Sequence, residues 1–176
     1  GTIVHTILER MLKEGPPPAD PEAKAALLDI ARQELEQDCP WPATRRFWLA
    51  RLARVADWFL MTEIDRQARA VPRHFEVSGR ISLDTVEFEL SGKADRIDIA
   101  PTGGALLYDY KTGSPPGAKE QTHFDKQLLL EAAMLERGAF PDLGPVKPLD
   151  AVFIGLGAEP KLVSAPLADQ PPEEVW

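Results

Sequence analysis

Two aspartates and a lysine lie where two neighbouring strands should end, and their types and spacing suit metal-dependent chemistry. Asp95 is in the run 92–98 (GKADRID), and Asp109 and Lys111 are in the run 108–113 (YDYKTG). Carboxylates, backbone carbonyls and water are the ligands that Mg²⁺ and Mn²⁺ prefer. A metal held in this way can activate water and clamp a phosphodiester. The residues therefore suggest phosphodiester hydrolysis.

A β-hairpin would bring the two aspartates together. Thr102-Gly103-Gly104 is a turn signal between the strand-like runs 96–100 and 105–110. If these runs pair as antiparallel strands, Asp95 and Asp109 lie at the end of the hairpin that is far from the turn.

Strand alternation also predicts the direction of the residues around Asp109. Residues i and i+2 of a strand point to the same side, so Asp109 and Lys111 share one face. Tyr110 then points to the opposite face and presents its backbone carbonyl near the two charged groups. A lysine placed there can orient the nucleophile or offset charge in the transition state.

Each of these residues also has an ordinary structural interpretation. An Asp-x-Lys sequence at a strand end, as at Asp109 and Lys111, is commonly a solvated salt bridge. Asp95 alone is compatible with a turn cap. Asp98 is better explained as a structural residue that pairs with Arg96 or with solvent. The metal interpretation depends on the whole set.

Helices should precede the strands that carry these residues. Apolar spacing of three and four predicts one helix over 3–12, a second from about Pro21 to Gln37, and a third from Thr44 to the stop at Val71-Pro72. Short β-rich runs then form a meander, with breaks predicted at Ser78-Gly79, Asp84-Thr85 and Ser91-Gly92. The runs are 75–78, 81–83, 86–90 and 94–100.

The chain should end in a helix and one more strand. A helix is predicted over Thr122–Arg137 and a buried strand over Ala151–Leu156. Helices, then a meander, then helix and strand indicate an α+β or mixed α/β fold, with helices packed on a sheet. We expect a single domain over 1–176: a helical part over 1–71, the sheet with its following helix over 72–164, and a tail over 165–176.

Composition excludes several classes of protein. The chain has 176 residues, a net charge of −8 and one cysteine, Cys39. It has no apolar run near the roughly 18 residues of a membrane span, so we expect a soluble protein without a membrane partner. One cysteine excludes an internal disulfide or a multi-cysteine metal site, and favours a reducing compartment. The chain begins with Gly1 inside a helical pattern, as expected of a piece of a larger protein.

The motifs taken together resemble the RecB-like branch of the PD-(D/E)XK nuclease superfamily. The resemblance rests on Gly1-x-x-x-His5, on the runs 92–98 and 108–113, and on Gln127-Leu128, in that order over about 1–155. Within the branch, the chain is similar to the C-terminal nuclease domains of AddB-type subunits of bacterial helicase–nucleases, which process double-strand breaks. The resemblance implies a restriction-endonuclease-like core, with a mixed central sheet flanked by helices.

The resemblance also implies roles for individual residues. His5, Asp95, Asp109 and the Tyr110 carbonyl would ligate Mg²⁺ or Mn²⁺, and Lys111 would position the attacking water. Gln127 would line the site and contact DNA or the lysine. Glu76 matches a glutamate sometimes found near such sites, although it is otherwise a lone acid on a strand. Implied partners are DNA and an AddA-type helicase–nuclease subunit, in the bacterial cytoplasm near the nucleoid.

Two departures from the family pattern matter. The family helix usually reads Gln-x-x-x-Tyr. Here the position four residues after Gln127 is Glu131, so the tyrosine's contact with DNA is absent. Iron–sulfur members carry four cysteines around the domain, and Cys39 alone cannot form such a cluster within this chain. The cysteines lie outside the fragment, or this branch lacks the cluster; their absence also counts against a CRISPR-associated RecB-like exonuclease.

A basic and aromatic segment offers a path for DNA. Residues 43–54 contain four arginines and no acid, so Arg45, Arg46, Arg51 and Trp48 are candidates to follow a single strand by charge and stacking. The helical spacing favours the alternative, a helix whose apolar stripe is core and whose arginines are solvated. For the whole domain, the main hypothesis is a metal-dependent deoxyribonuclease. The alternative is a catalytically silent, nuclease-like scaffold that binds DNA or a partner subunit.

Overall fold

A computed structural model describes residues 2–83 and 88–172. Its elements, in chain order, are α1 (Thr2–Glu14), α2 (Ala23–Asp38), α3 (Pro42–Arg69), β1 (Val71–Leu83), β2 (Phe88–Ile99), β3 (Ala105–Lys111), α4 (Ala118–His123), α5 (Gln127–Glu136), β4 (Pro148–Gly155) and β5 (Lys161–Ser164). The chain divides into two compact units. The first holds the residues up to Ala68 with two short segments, Lys111–Ser114 and Leu156–Pro160, and the second holds the remaining strands and helices.

The first unit is built from the three predicted helices. In α1 the buried residues recur with helical spacing, and α1 packs against α2. Arg10 of α1 donates hydrogen bonds to Glu14 and to Glu34 of α2, each at 2.9 Å, and these bonds raise the pKa of the Arg10 guanidinium. The helices begin and end within about two residues of the predicted bounds. The buried residues of α1 are Val4, Ile7, Leu8 and Met11.

The second unit is built on a five-stranded mixed sheet in the order β1-β2-β3-β4-β5. The pairs β1–β2, β2–β3 and β4–β5 are antiparallel, as a meander requires. Strands β3 and β4 run in the same direction. The N–H of Ala105 donates to the carbonyl of Lys147 where both strands begin, and the N–H of Leu156 donates to that of Lys111 where both end. The α+β architecture predicted from the sequence is confirmed.

One apolar core holds the second unit together. Buried side chains of α5 pack with those of β2, β3 and β4, and Phe140 closes the cluster beyond the helix. Burial of this kind is the main driving force for folding, at about 25 cal/mol per Å² of apolar surface. The core fixes α5 against the sheet, so residues at the start of that helix have defined positions relative to β3. Among the largest members are Ile97, Leu107, Leu128, Leu135 and Phe153.

Two of the predicted strand breaks are wrong. Strand β1 continues through Ser78-Gly79, and β2 continues through Ser91-Gly92. Gly79 pairs with Gly92 across the two strands. A Cβ at Gly79 would lie 2.7 Å from the ring of Phe140, so this glycine serves close packing rather than a turn. The predicted turn at Asp84-Thr85, part of the run 86–90 and the end of the tail lie outside the described residues.

Two further details differ from the sequence prediction. The single helix predicted over 122–137 is two helices, because the N–H groups of Phe124 and Asp125 both bond to the carbonyl of Glu120 and end α4. The side chain of Asp125 then accepts from the N–H of Gln127, at 3.3 Å, where α5 begins. Strand β5 was not predicted, since four residues are too few for a periodic signal.

Across the described ranges, no helix combines the length and the apolar character that crossing a lipid bilayer would require.

Candidate active site

The predicted hairpin is present, and it brings Asp95 to β3. The register of β2 on β3 pairs Ile99 with Ala105 beside the turn and Arg96 with Tyr108 at the far end. One residue further, the Asp95 Oδ2 accepts a hydrogen bond from the backbone N–H of Tyr110, at 2.8 Å. The carboxylate thus sits on the β3 backbone beside Asp109, as the hairpin argument predicted.

Asp109 is buried and is held by α5. Gln127, the first residue of that helix, donates from Nε2 to the Asp109 Oδ1 at 2.7 Å. The same Nε2 donates to the Glu131 Oε1 at 3.0 Å. Only 3% of Asp109 and 4% of Glu131 is exposed, so both carboxylates are placed inside the protein. Gln127 thus contacts Asp109, and its role at the site stays a prediction.

Glu131 is the site residue that sequence reasoning missed. The sequence comparison identifies it only as the residue in place of the usual tyrosine. The available signal was the spacing, because residues i and i+4 of a helix face the same side, which puts Glu131 beside Gln127.

Glu76 adds a third carboxylate next to Asp95. A carboxylate oxygen of Glu76 lies within 4.8 Å of one of Asp95, and Lys93 forms a salt bridge with the Glu76 Oε2. Glu76 has a φ of 51°, the left-handed region, although it lies within β1. Non-glycine residues in this region cost energy and cluster at functional sites. The backbone therefore departs from a regular strand at Glu76, the residue whose carboxylate lies near that of Asp95.

A buried ion pair supports the strands beneath the carboxylates. Arg96 donates from Nε and Nη2 to the two oxygens of Asp98, at 2.6 Å each, and both side chains are fully buried. Arg96 also donates to the Tyr110 hydroxyl at 3.2 Å and stacks over the ring of Tyr108. The structural role expected for Asp98 is confirmed. Tyr110 reaches Arg96 while Asp109 reaches α5, as alternation along β3 predicted.

Lys111 ends β3 and leads into a loop of the first unit. Its carbonyl accepts from Leu156, and its side chain is half-buried. The guanidinium of Arg51 donates to the Thr112 carbonyl next to it and, at 3.4 Å, to that of Leu156. The segment that follows Lys111 is thereby fastened to α3 within the first unit.

The other predicted residues lie on helices of the first unit. His5 is half-buried on α1, and its role as a metal ligand stays a prediction. On α3, Arg46 is exposed and Trp48 is half-buried, and the Arg51 guanidinium lies 5.2 Å from the centre of the Trp48 ring. Arg45 donates to the Pro40 carbonyl at 3.4 Å. Arg51 therefore supports a loop, and the predicted DNA contacts of this segment stay predictions.

The donor set of the second unit fits a hard divalent cation. Asp95 and Glu76 offer carboxylate oxygens that lie within 4.8 Å of each other. Asp109 offers another carboxylate, and the next residue, Tyr110, offers a backbone carbonyl at the position that binds Asp95. These are the ligands that suit Mg²⁺ and Mn²⁺. Glu76 and Asp95 are two carboxylates, and Lys93 forms a salt bridge with Glu76, so the three side chains together carry a net negative formal charge. Such a charge favours a bound cation.

Comparison with known proteins agrees with this arrangement. A family model of the PD-(D/E)XK nuclease superfamily matches residues 1–175. The chain belongs to the PD-(D/E)XK nuclease superfamily, whose members are generally nucleases that use divalent metals.

Similar proteins occur in Rickettsia, and they are much longer. An uncharacterized protein of Rickettsia bellii is 27% identical over 143 residues, which cover 80% of this chain and 17% of that protein. Uncharacterized proteins of Rickettsia typhi and Rickettsia conorii are 26% and 27% identical over 151 residues, covering 80% of this chain and 17% and 18% of theirs. The chain thus spans less than a fifth of the length of these relatives.

Proposed function

We propose that this chain is a metal-dependent deoxyribonuclease domain that hydrolyses phosphodiester bonds with Mg²⁺ or Mn²⁺. The observation that carries the proposal is the hydrogen bond from the backbone N–H of Tyr110 to Asp95, at the residue that follows the buried Asp109. Membership of the nuclease superfamily supports the reaction type. Recognition through phosphate and metal requires no base contacts, so we expect cleavage without sequence specificity.

Each residue of the site has a distinct proposed task. Asp95, Asp109 and the Tyr110 carbonyl would hold the ion, which would supply positive charge to the scissile phosphate when bound. Lys111 shares a face of β3 with Asp109, and its ammonium group orients the attacking water and offsets negative charge in the transition state. Gln127 fixes Asp109.

Two further ligands are proposed on different grounds. Glu76 joins the site because its carboxylate lies close to that of Asp95. His5 is proposed as a ligand from the sequence motif alone.

The test of this function is cleavage of labelled single- and double-stranded DNA by the purified chain. We expect cutting with Mg²⁺ or Mn²⁺, none with EDTA, and none by Asp95→Asn at either metal. Calorimetry of metal binding is measured in parallel. Metal binding without any cutting would mean that cleavage requires a partner or flanking segments of the longer protein. No metal binding at all would favour the catalytically silent scaffold.

The biological setting is proposed from the motif set and from the length of the relatives. We infer that the domain is part of an AddB-type subunit, acting on DNA fed to it by an AddA-type helicase–nuclease during double-strand break repair. Relatives of which this chain matches less than a fifth are compatible with a nuclease module in a larger protein. In pull-downs with the full-length protein, we expect a helicase subunit to co-purify and cleavage of duplex ends to depend on ATP.

A further inference from the structure

A single amide group joins two buried carboxylates at the start of α5. The Gln127 Nε2 donates to the Asp109 Oδ1 on β3 and to the Glu131 Oε1 one helical turn further along α5. An amide nitrogen has two hydrogens, and an ionised carboxylate accepts hydrogen bonds but cannot donate them. The two bonds therefore use both hydrogens of the Gln127 side chain.

This arrangement determines which way the Gln127 amide faces. With Asp109 alone, one N–H bond would hold the amide, and the amide plane could swing about the last side-chain bond. The second bond, to Glu131, fixes that plane. Turning the amide over would bring the Gln127 carbonyl oxygen against both carboxylates, and the repulsion is strengthened by their burial.

We propose that Glu131 is a positioning residue that locks the Gln127 amide and, through it, the Asp109 carboxylate. The inference rests on the proposed function for its catalytic consequence, but the hydrogen-bond relay itself does not. A bond to Asp109 Oδ1 fixes the rotation of the carboxylate and thus the direction of its other oxygen. Mutation of a residue that hydrogen-bonds to a metal ligand commonly lowers metal affinity or activity by about 10–100-fold.

Burial of a second carboxylate 3.0 Å from the amide requires a function or a compensating interaction, because an apolar residue there would avoid the desolvation cost. The neighbouring helical positions show that apolar residues fit this face of α5, since Leu128, Ala132 and Leu135 are all buried. Glu131 is thus not required for the packing of the helix. The bond that it accepts from Gln127 gives this buried carboxylate a role.

Kinetics of matched variants test the catalytic part. Glu131→Leu removes the acceptor at similar size, and we expect kcat to fall about 10–100-fold with KM for DNA unchanged. Glu131→Gln restores an acceptor oxygen and should recover most of the lost activity. Gln127→Leu should lose as much as Glu131→Leu, and the double variant should be no worse than Gln127→Leu alone, because the two residues act in series. The control is Glu136→Leu, an exposed glutamate on the same helix.

The relay is tested separately by NMR of the Gln127 side-chain NH₂, assigned as the signal pair missing from Gln127→Leu. We expect slow hydrogen exchange in the wild-type chain, fast exchange in Glu131→Leu, and slow exchange in Glu131→Gln; Glu131→Met replaces the leucine variant if that variant does not fold. Unchanged exchange in the apolar variant, or additive kinetic losses in the double variant, would overturn the proposal. If the exchange rates follow the expected pattern but the chain cuts no DNA, the hydrogen bonds from Gln127 to Asp109 and Glu131 are supported and only the proposed nuclease function is contradicted.

Discussion

The Asp95 carboxylate accepts a hydrogen bond from the backbone N–H of Tyr110, with 2.8 Å between oxygen and nitrogen. In a regular antiparallel ladder a strand carbonyl would accept from such a group. Here a side chain does so, just beyond the last pair in the register, Arg96 with Tyr108. The hairpin therefore ends with a carboxylate bound to the β3 backbone at Tyr110, the residue that follows Asp109. This relationship is the basis of the proposed site.

Asp109→Asn should abolish metal-dependent cleavage without unfolding the domain. Asparagine has nearly the same shape and keeps an oxygen that can accept from Gln127, but it lacks the charge that holds a cation. We expect activity to fall by more than about 100-fold, beyond the usual loss for an indirect partner. Cleavage assays and calorimetry of metal binding measure the two losses. Asp169→Asn, an exposed aspartate, is the matched control. A loss of thermal stability in proportion to the loss of activity would contradict the metal role.

Lys111→Ala should remove turnover while metal binding is kept. The ammonium group repels a cation, so its removal should leave metal affinity the same or tighter, whereas the water and the transition state lose their positive partner. Single-turnover cleavage and calorimetry separate these effects, with Lys119→Ala, an exposed lysine on α4, as the control. If Lys111→Ala also lost the metal, the division of tasks between Lys111 and the aspartates would be wrong.

The parts of this molecule that sequence predicts well are those set by local chemistry. The hairpin around Thr102–Gly104 depends on a turn signal between two strand-like runs, and the predicted antiparallel pairing is present. Asp98 as the partner of Arg96 follows from their i, i+2 spacing on one strand. These features need only neighbouring residues to form.

The parts that sequence misses depend on distant contacts. Gly79 was predicted to break a strand, but its role is to admit the ring of Phe140, which lies about 60 residues away in sequence. The bridge from Asp109 through Gln127 to Glu131 requires α5 to pack on the sheet in one register. Neither contact can be predicted from local propensities or from a sequence motif.

Arg96→Met should destabilise the domain strongly, because it leaves the Asp98 carboxylate buried without its cation. Removing one partner of a buried ion pair typically costs about 3–5 kcal/mol. The double variant Arg96→Met with Asp98→Leu should recover much of that free energy of unfolding, measured by urea denaturation. Arg80→Met serves as the control, since Arg80 and Glu89 form an exposed pair worth at most about 1 kcal/mol. Equal losses in the two single variants would contradict this account.

Gly79→Ala should reduce stability, whereas Gly113→Ala should not. A Cβ at Gly79 would meet the Phe140 ring at 2.7 Å and the Ala139 carbonyl at 3.2 Å, and overpacking of this kind costs about 1–3 kcal/mol. At Gly113 nothing lies within 4 Å of the added carbon. Thermal melting of both variants compares them directly. A neutral Gly79→Ala variant would show that the ring moves aside without cost.

Two substitutions at Glu76 distinguish the effect of its strained backbone from the effect of its carboxylate. Its φ of 51° costs an alanine about 1–2 kcal/mol but costs glycine almost nothing. Glu76→Gly should therefore be more stable than Glu76→Ala by about 1 kcal/mol, measured by chemical denaturation. Both variants lack the carboxylate near Asp95, so metal affinity measured by calorimetry should fall equally in the two. If affinity instead followed stability, falling in Glu76→Ala but not in Glu76→Gly, then Glu76 would act on the site through its backbone and not as a ligand.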